Sequence, residues 1–141
     1  MLMFRHILIT HAVFASLMLL PVSQVAAQPM PLDGKVFVAD IGYKGKDAHD
    51  KGDIITFKDG KFHSATCDQY GYNKGDYKTS TQGDATTFET ETHSEKYGRL
   101  QWKGTVRAGQ IEGTFTMFPK PGFFDRNPAP VEHWFKGQSK T

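Results

Sequence analysis

The chain contains a single cysteine, Cys67, so it cannot form a disulfide bond within itself. Exported domains of this size often rely on disulfides, and here stability must come instead from packing and backbone hydrogen bonding. A free cysteine in a folded domain usually behaves as a small apolar residue of the interior. We therefore predict that Cys67 is buried, with an intermolecular disulfide or a reactive thiol as the alternatives.

The sequence also lacks the short motifs of common catalytic sites. It has no Gly-x-Ser-x-Gly elbow, no phosphate-binding glycine loop and no His-Glu-x-x-His pair. His63 and Cys67 lie four residues apart, which is roughly 13 Å along a strand, so they could share a metal only if the strand broke between them. An enzyme would need side chains from distant strands, such as His63, Asp68 and His93, to meet. We therefore expect no enzyme activity, no cofactor and no metal site.

The sequence also lacks a strong excess of positive or negative charge. One of the 17 basic residues, Arg5, lies in the first 27 residues, which leaves 16 basic against 15 acidic residues in the remainder. This balance argues against nucleic acid or an anionic membrane as the main partner. No basic cluster with interleaved aromatic residues changes that expectation.

The first 27 residues have the pattern of a secretory signal peptide. Arg5 precedes an apolar run over residues 7–20, and a small-residue end, Val25-Ala26-Ala27, follows. A retained membrane anchor is less favoured because His11 interrupts the run and polar residues end it early. We predict cleavage before Gln28, a single domain over residues 28–141, and a periplasmic or secreted protein that is not membrane-embedded after cleavage.

Residues 100–118 have the pattern of one β-hairpin. Apolar and polar side chains alternate strictly along both arms, which is typical of strands with one buried face and one solvent-exposed face. With Ala108 and Gly109 as the loop, Trp102 pairs with Phe115. In this register Gly104 lies opposite Gly113, which indicates either a sharp bend or room for a ligand.

The rest of the chain gives further strands and no helical period. Predicted strands cover residues 36–41, two arms around Asp59-Gly60 with Phe57 opposite Phe62, the Thr-rich residues 77–81 and 86–92, and residues 133–138. The charged residues 44–53 are predicted to form a solvated loop. About eight short strands in sequence order predict an all-β, antiparallel up-and-down barrel with the last strand beside the first. A two-sheet β-sandwich is the alternative.

Several of these segments resemble a known family. GKVF, FKDGKFHSATC, YGY with a following tyrosine, WKGTVRAGQIEGTF and the final HWFKG are similar to a family of small exported bacterial proteins of unknown function. The sheets of that family resemble those of the calycins, the lipocalin and avidin-like barrels. The resemblance implies a β-barrel and, by analogy of fold, a ligand in its mouth.

Aromatic residues are numerous for so small a domain and supply the candidate ligand-binding side chains. These are Tyr70, Tyr72, Trp102, Phe123, Phe124 and Trp134. Phe123 and Phe124 lie in a Pro-rich segment, where they either fold back over the barrel as a plug or await a partner. The favoured function is a non-enzymatic binding protein that holds a small apolar or amphipathic molecule in the barrel mouth. The alternative is an interaction module for an exported protein partner, such as an enzyme inhibitor or envelope assembly factor, acting through residues 123–131.

Overall fold

A computed structural model describes residues 30–141, and the predicted signal peptide over residues 1–27 lies outside this part of the chain. The described residues form eight strands and one short 3-10 helix. The strands are β1 (Val36–Tyr43), β2 (Ala48–Lys58), β3 (Lys61–Ser64), β4 (Gly75–Gln82), β5 (Ala85–Ser94), β6 (Gly98–Arg107), β7 (Gln110–Pro119) and β8 (Val131–Ser139), and the 3-10 helix covers Ala65–Tyr70. Within residues 30–141, no helix has the length and apolar character needed to cross a membrane.

The strands close into one antiparallel barrel in sequence order. Strand β8 pairs with β1, for example Phe135 with Ile41, so the sheet has no free edge there. This arrangement confirms the predicted up-and-down barrel and excludes the two-sheet sandwich. The long β6–β7 hairpin has the predicted register, with Trp102 opposite Phe115.

One predicted loop was wrong. The charged segment over residues 44–53 was expected to be solvated throughout, but strand β2 begins at Ala48 and pairs with β1. The reason lies at its end, where Asp53 is 2% exposed and serves as an internal hydrogen-bond acceptor. The charged residue Asp53 is therefore an internal structural group, and charge content alone did not predict that this segment forms a strand.

Aromatic rings fill most of the barrel interior. The alternation along each strand sends one face inward, and the inward positions include Phe37, Phe57, Phe62, Phe88, Trp102 and Phe135, all at or below 1% exposure. The rings meet mainly edge to face or tilted, for example Phe57 with Phe88 at 4.9 Å between centroids. This packing supplies the core that a chain without disulfides needs.

The facing glycines of the β6–β7 hairpin are part of the same packing. A Cβ atom on Gly113 would lie 2.1 Å from the Lys103 carbonyl oxygen and 2.6 Å from Cζ of Phe135. A Cβ atom on Gly104 would lie 2.5 Å from Cε1 of Phe88. The gap in the apolar face is therefore occupied by phenylalanine rings, and it leaves no space for a ligand at this level of the barrel.

The chain before β1 covers one end of the barrel. Leu32 is buried in the core, and the amide of Gly60, in the β2–β3 turn, donates to Oδ1 of Asp33 at 3.1 Å. The Tyr77 hydroxyl donates to the same carboxylate. These contacts attach the N-terminal turn to strands β2 to β4 and leave the opposite end of the barrel as the one where a cavity can open.

Candidate functional site

The candidate site is a cavity at the end of the barrel where the β1–β2, β3–β4, β5–β6 and β7–β8 connections lie. This end is called the mouth here. The cavity has a volume of about 230 Å³. Its lining includes Tyr43, His49, Cys67, Tyr72, Phe115 and His133. At ~30 Å³ per water molecule, the space corresponds to about eight waters, which suits a small molecule of one or two rings.

The 3-10 helix that forms one side of the mouth is positioned by a buried carboxylate. The Ser64 hydroxyl donates to Oδ2 of Asp53 at 2.6 Å, and the Thr66 amide donates to Oδ1 at 2.9 Å. Strand β3 therefore ends at Ser64, and the chain turns into the helix Ala65–Tyr70 instead of continuing as strand. This turn brings Cys67 to the cavity and directs the following chain across the mouth.

Cys67 is partly buried and packs against the core. Burial raises the pKa of its thiol to about 12; the hydrogen bond with Ser64 opposes this effect, and the carboxylates of Asp53, Asp68 and Asp50 add to it. Its Sγ lies 3.3 Å from the Ser64 hydroxyl oxygen. Because nucleophilic and metal-binding cysteines act as thiolates, this environment suits a neutral lining group.

Tyr72 is a lining residue with an unsatisfied hydrogen-bonding group. The side chain is 8% exposed, and its hydroxyl is buried without a hydrogen-bond partner among residues 30–141. Burial raises the pKa of this phenol, with smaller contributions from Cys67 and Tyr97, so the hydroxyl is a neutral donor at physiological pH. An unpaired buried hydroxyl costs the folded state about 1–3 kcal/mol.

The opposite wall of the mouth is a stack of flat rings. The His133 ring lies on the Phe115 ring with centroids 4.4 Å apart and planes 6° apart. Tyr43 lies next to both histidines, at 4.7 Å from His133 and 4.6 Å from His49. Such a wall can stack against a planar ligand.

Hydrogen bonds and burial define the states of the two histidines. The Nδ1 atom of His133 lies 3.2 Å from the Val131 carbonyl oxygen, which can only accept, so Nδ1 carries a proton. Burial lowers the pKa of His133, and the nearby His49 lowers it further, while the Val131 carbonyl opposes both. His49 is paired with Asp50, with 2.9 Å between Nδ1 and Oδ2. The wall therefore presents a neutral imidazole beside an acid-paired one.

In comparisons with known proteins, the chain matches no family model, no curated protein and no solved structure.

The structure separates the six predicted ligand-binding residues into four places. Tyr70 and Tyr72 line the mouth cavity. Trp102 is fully buried below it, 4.1 Å from the Phe115 ring, and its Nε1 donates to the Thr92 hydroxyl at 3.3 Å. Trp102 is therefore part of the packed interior and supports the cavity through Phe115.

Phe123 and Phe124 do not plug the barrel. They lie in the β7–β8 connection at the mouth end, with 83% and 98% of their side chains exposed. Of the two arrangements expected from the sequence, folding back over the opening as a plug is therefore wrong. Their rings contact each other edge to face at 5.0 Å, and neither lines the cavity.

Trp134 lies on the outer wall. Its ring packs against Gly42, where a Cβ atom would come within 2.6 Å, and its Nε1 donates to the Lys46 carbonyl at 2.9 Å. It also borders a larger, shallow depression of about 810 Å³ formed by outward side chains of strands β4 to β8. That depression is lined mainly by lysine, threonine and glutamate and borders no buried unpaired group, so the mouth is the better ligand site despite its smaller volume.

The remaining chemistry-bearing residues do not gather into a second site. Among residues 30–141, no group of three or more His, Cys, Asp or Glu side chains is placed to hold a metal. The strand does break between His63 and Cys67, but His63 pairs with Asp68 at 2.7 Å. His93 pairs with Glu91 at 2.9 Å.

Sequence reasoning missed Tyr43, His49 and His133 as lining residues of the mouth. Each lies at the end or the start of a strand, and strands β1, β2 and β8 meet at the mouth because the barrel closes between β1 and β8. The signal that could have found them was therefore the predicted closure itself, since it places these three strand termini at the same end.

Proposed function

We propose that this protein is an exported, non-enzymatic binding protein that holds one small amphipathic molecule in the mouth of its barrel. The observation that carries the proposal is the buried Tyr72 hydroxyl, which has no partner within residues 30–141 and belongs to a residue that lines the cavity. The signal-peptide pattern of residues 1–27 supports a periplasmic or secreted location.

The cavity indicates the chemical class of the ligand. Its volume of about 230 Å³ lies just below the range of ~300–1,000 Å³ typical of sites for drug-sized molecules. The stacked wall of Phe115 and His133 suits a planar ring, and Tyr72 suits a carbonyl or carboxylate oxygen that accepts a hydrogen bond. A small aromatic or unsaturated molecule with one such oxygen fits both requirements.

The protonation and contacts of the lining side chains favour binding without catalysis. The Cys67 thiol has a pKa raised to about 12, so the thiolate that nucleophilic chemistry requires is scarce at neutral pH. His133 stacks on Phe115 and donates to a backbone carbonyl. These groups therefore serve as shape and contact surface in the proposal.

Native mass spectrometry of the mature protein, purified from its own host, tests this function. We expect a retained small molecule, or binding of simple aromatic carboxylates and ketones added in a panel, and roughly tenfold weaker retention by Tyr72→Phe because one hydrogen bond is lost. Tyr77→Phe is the matched control, since Tyr77 bonds to Asp33 away from the mouth. A protein that holds nothing and binds no member of the panel would refute the proposal.

A second candidate function is an interaction module for an exported protein, such as an enzyme inhibitor or envelope assembly factor. The near-complete exposure of Phe123 and Phe124 favours it, because apolar rings in water often mark a contact surface. Affinity capture with the wild type and with a Phe123→Ala/Phe124→Ala variant tests it. Equal recovery of every captured protein would argue against this candidate.

A further inference from the structure

The exposed apolar side chains of the barrel are concentrated at one end. Six large hydrophobic residues are exposed in residues 30–141, namely Met30, Tyr43, Tyr70, Tyr97, Phe123 and Phe124. Five of them lie at the mouth, and Met30 alone lies at the opposite end, beside the β2–β3 turn. Scattered exposed residues need no explanation, but an aromatic rim around one opening does.

The two phenylalanines are the most exposed residues of this rim. They occupy the two central positions of a tight turn in which the Gly122 amide donates to the Asp125 carbonyl at 2.8 Å. The Asn127 amide donates to Oδ1 of Asp125 at 3.2 Å and reinforces the turn. Proline residues on both sides restrict the backbone further, so the pair is held outward before any partner binds.

The three tyrosines lie around the opening at lower exposure. Tyr43, Tyr70 and Tyr97 are between 38% and 49% exposed, and they come from three different parts of the barrel, the end of β1, the 3-10 helix and the β5–β6 turn. Tyr70 and Tyr97 also contact each other edge to face at 5.6 Å. Half-exposed tyrosines of this kind are favoured where an apolar phase meets water.

Charge is also unevenly distributed between the two ends of the barrel. Apart from Lys74, which lies beside Lys58, Asp59 and Lys61, the connections at the mouth carry five basic and four acidic residues, and Lys44 among them pairs with Glu132 at 2.5 Å. The turns and terminal segments at the other end carry two basic and three acidic residues. Lys120 and Arg126 flank the phenylalanine turn directly. Basic side chains therefore lie beside the exposed rings, and the Lys120 ammonium also donates to the Glu95 carbonyl at 2.7 Å.

We propose that the mouth end docks onto the surface of a bilayer that contains anionic glycerophospholipid. Phe123 and Phe124 enter the acyl region, the three tyrosines lie at the level of the carbonyl and headgroup layer, and Lys120 and Arg126 contact phosphates. The barrel itself stays outside the membrane with its mouth facing the lipid. This docking goes beyond the proposed small-molecule binding and gives an amphipathic ligand a route into the cavity that avoids water.

A bilayer fits the arrangement better than a protein groove. The exposed apolar side chains come from four separate segments around the opening, and their exposure ranges from 38% for Tyr97 to 98% for Phe124. A protein hot spot is typically a compact cluster inside a ring of neutral contacts. Depth-graded Phe, Tyr and Lys or Arg are the usual elements of interfacial membrane binding.

Vesicle co-sedimentation of the mature protein tests the proposal. We expect the wild type to pellet with mixed phosphatidylethanolamine and phosphatidylglycerol vesicles, and to pellet less with pure phosphatidylcholine vesicles or at high salt. Phe123→Ala/Phe124→Ala should lower the partition coefficient roughly tenfold or more, since each partly buried ring contributes to binding. Met30→Ala, which removes an exposed apolar side chain at the other end, is the matched control and should bind like the wild type.

A second measurement reports insertion directly. A polarity-sensitive nitrobenzoxadiazole group attached to Phe124→Cys should brighten and shift to shorter wavelength when anionic vesicles are added, with labelled wild type as the background for Cys67. Both Phe variants should keep the wild-type urea midpoint, because the removed rings are 83% and 98% exposed in the folded protein. Equal pelleting of the wild type and the double variant, an unchanged probe spectrum, or Phe-dependent capture of a protein without vesicle binding would each overturn the proposal.

Discussion

Replacing Tyr72 by phenylalanine should stabilise the ligand-free protein, although removal of a buried tyrosine hydroxyl usually destabilises a protein because it breaks a hydrogen bond. The hydroxyl is buried and has no partner among residues 30–141, so the folded state gives up its hydration without compensation. The unfolded chain keeps that hydration. Removing the hydroxyl therefore removes a cost that only the folded state bears.

The size of the effect follows from two opposing contributions. The desolvation cost removed is about 1–3 kcal/mol. The hydroxyl leaves a void of roughly 10 Å³, which costs about 0.2–0.3 kcal/mol at ~24 cal/mol per Å³. The net stabilisation should be about 0.7–2.8 kcal/mol, which raises the urea midpoint by about 0.4–1.4 M at an m-value near 2 kcal/mol/M.

Tyr77→Phe makes the same chemical change with the opposite expected sign. Tyr77 is also buried, but its hydroxyl donates to the Asp33 carboxylate. Loss of a hydrogen bond to a charged acceptor costs about 1.5–3 kcal/mol, so its urea midpoint should fall. The two variants are compared by equilibrium urea denaturation of ligand-free protein. If Tyr72→Phe lowers the midpoint as Tyr77→Phe does, the hydroxyl has a partner and the argument for an unmet ligand contact fails.

Three further predictions test the packing and the ionisation states. Gly113→Ala should destabilise by about 3 kcal/mol or more in urea, since its Cβ would meet the Lys103 carbonyl at 2.1 Å; Gly122, where a Cβ atom would have no neighbour closer than 3.9 Å, offers an alanine control, and equal losses would contradict the clash. With a thiol pKa of about 12, Cys67 should alkylate roughly a thousandfold more slowly at about pH 8 in the native than in the unfolded protein; matching rates would refute this. Because burial lowers the pKa of His133, the unfolded chain takes up a proton first as pH falls below about 6.5, so stability declines from there down to the lowered folded pKa. Denaturation at about pH 7.5 and about pH 5.5 should show a smaller loss for His133→Gln than for the wild type, and identical losses would assign the pH dependence to other groups.

The strands and their pairing were largely predictable from the sequence because they follow from strict alternation and turn residues. The pairs Trp102 with Phe115 and Phe57 with Phe62 were predicted and are confirmed. The closure between the first and last strands was also predicted and is confirmed. These features depend on local patterns and on the cost of leaving a sheet edge unpaired, and both can be read along the chain.

The mouth was less predictable because its residues meet only through closure and through one buried carboxylate. Asp53 was predicted to lie in a solvated loop. Its carboxylate instead accepts hydrogen bonds from Ser64 and Thr66, at the point where strand β3 ends and the chain turns into the helix that carries Cys67. Tyr72 was predicted as a lining residue on aromatic content, but its missing partner appears only in three dimensions. The exposure of Phe123 and Phe124 likewise depends on a turn whose closing bond the sequence pattern does not indicate.

The placement of the chain ends has a practical consequence for experiments on this protein. Residue Met30 lies beside Gly60, and the Lys140 amide donates to the Val36 carbonyl, so both ends of the described chain emerge from the closed base. A tag, a fluorescent fusion or a surface tether at either end would point away from the aromatic opening. A protein tethered through residue 30 or residue 140 would thus sit on a sensor chip with its recognition side facing the solution.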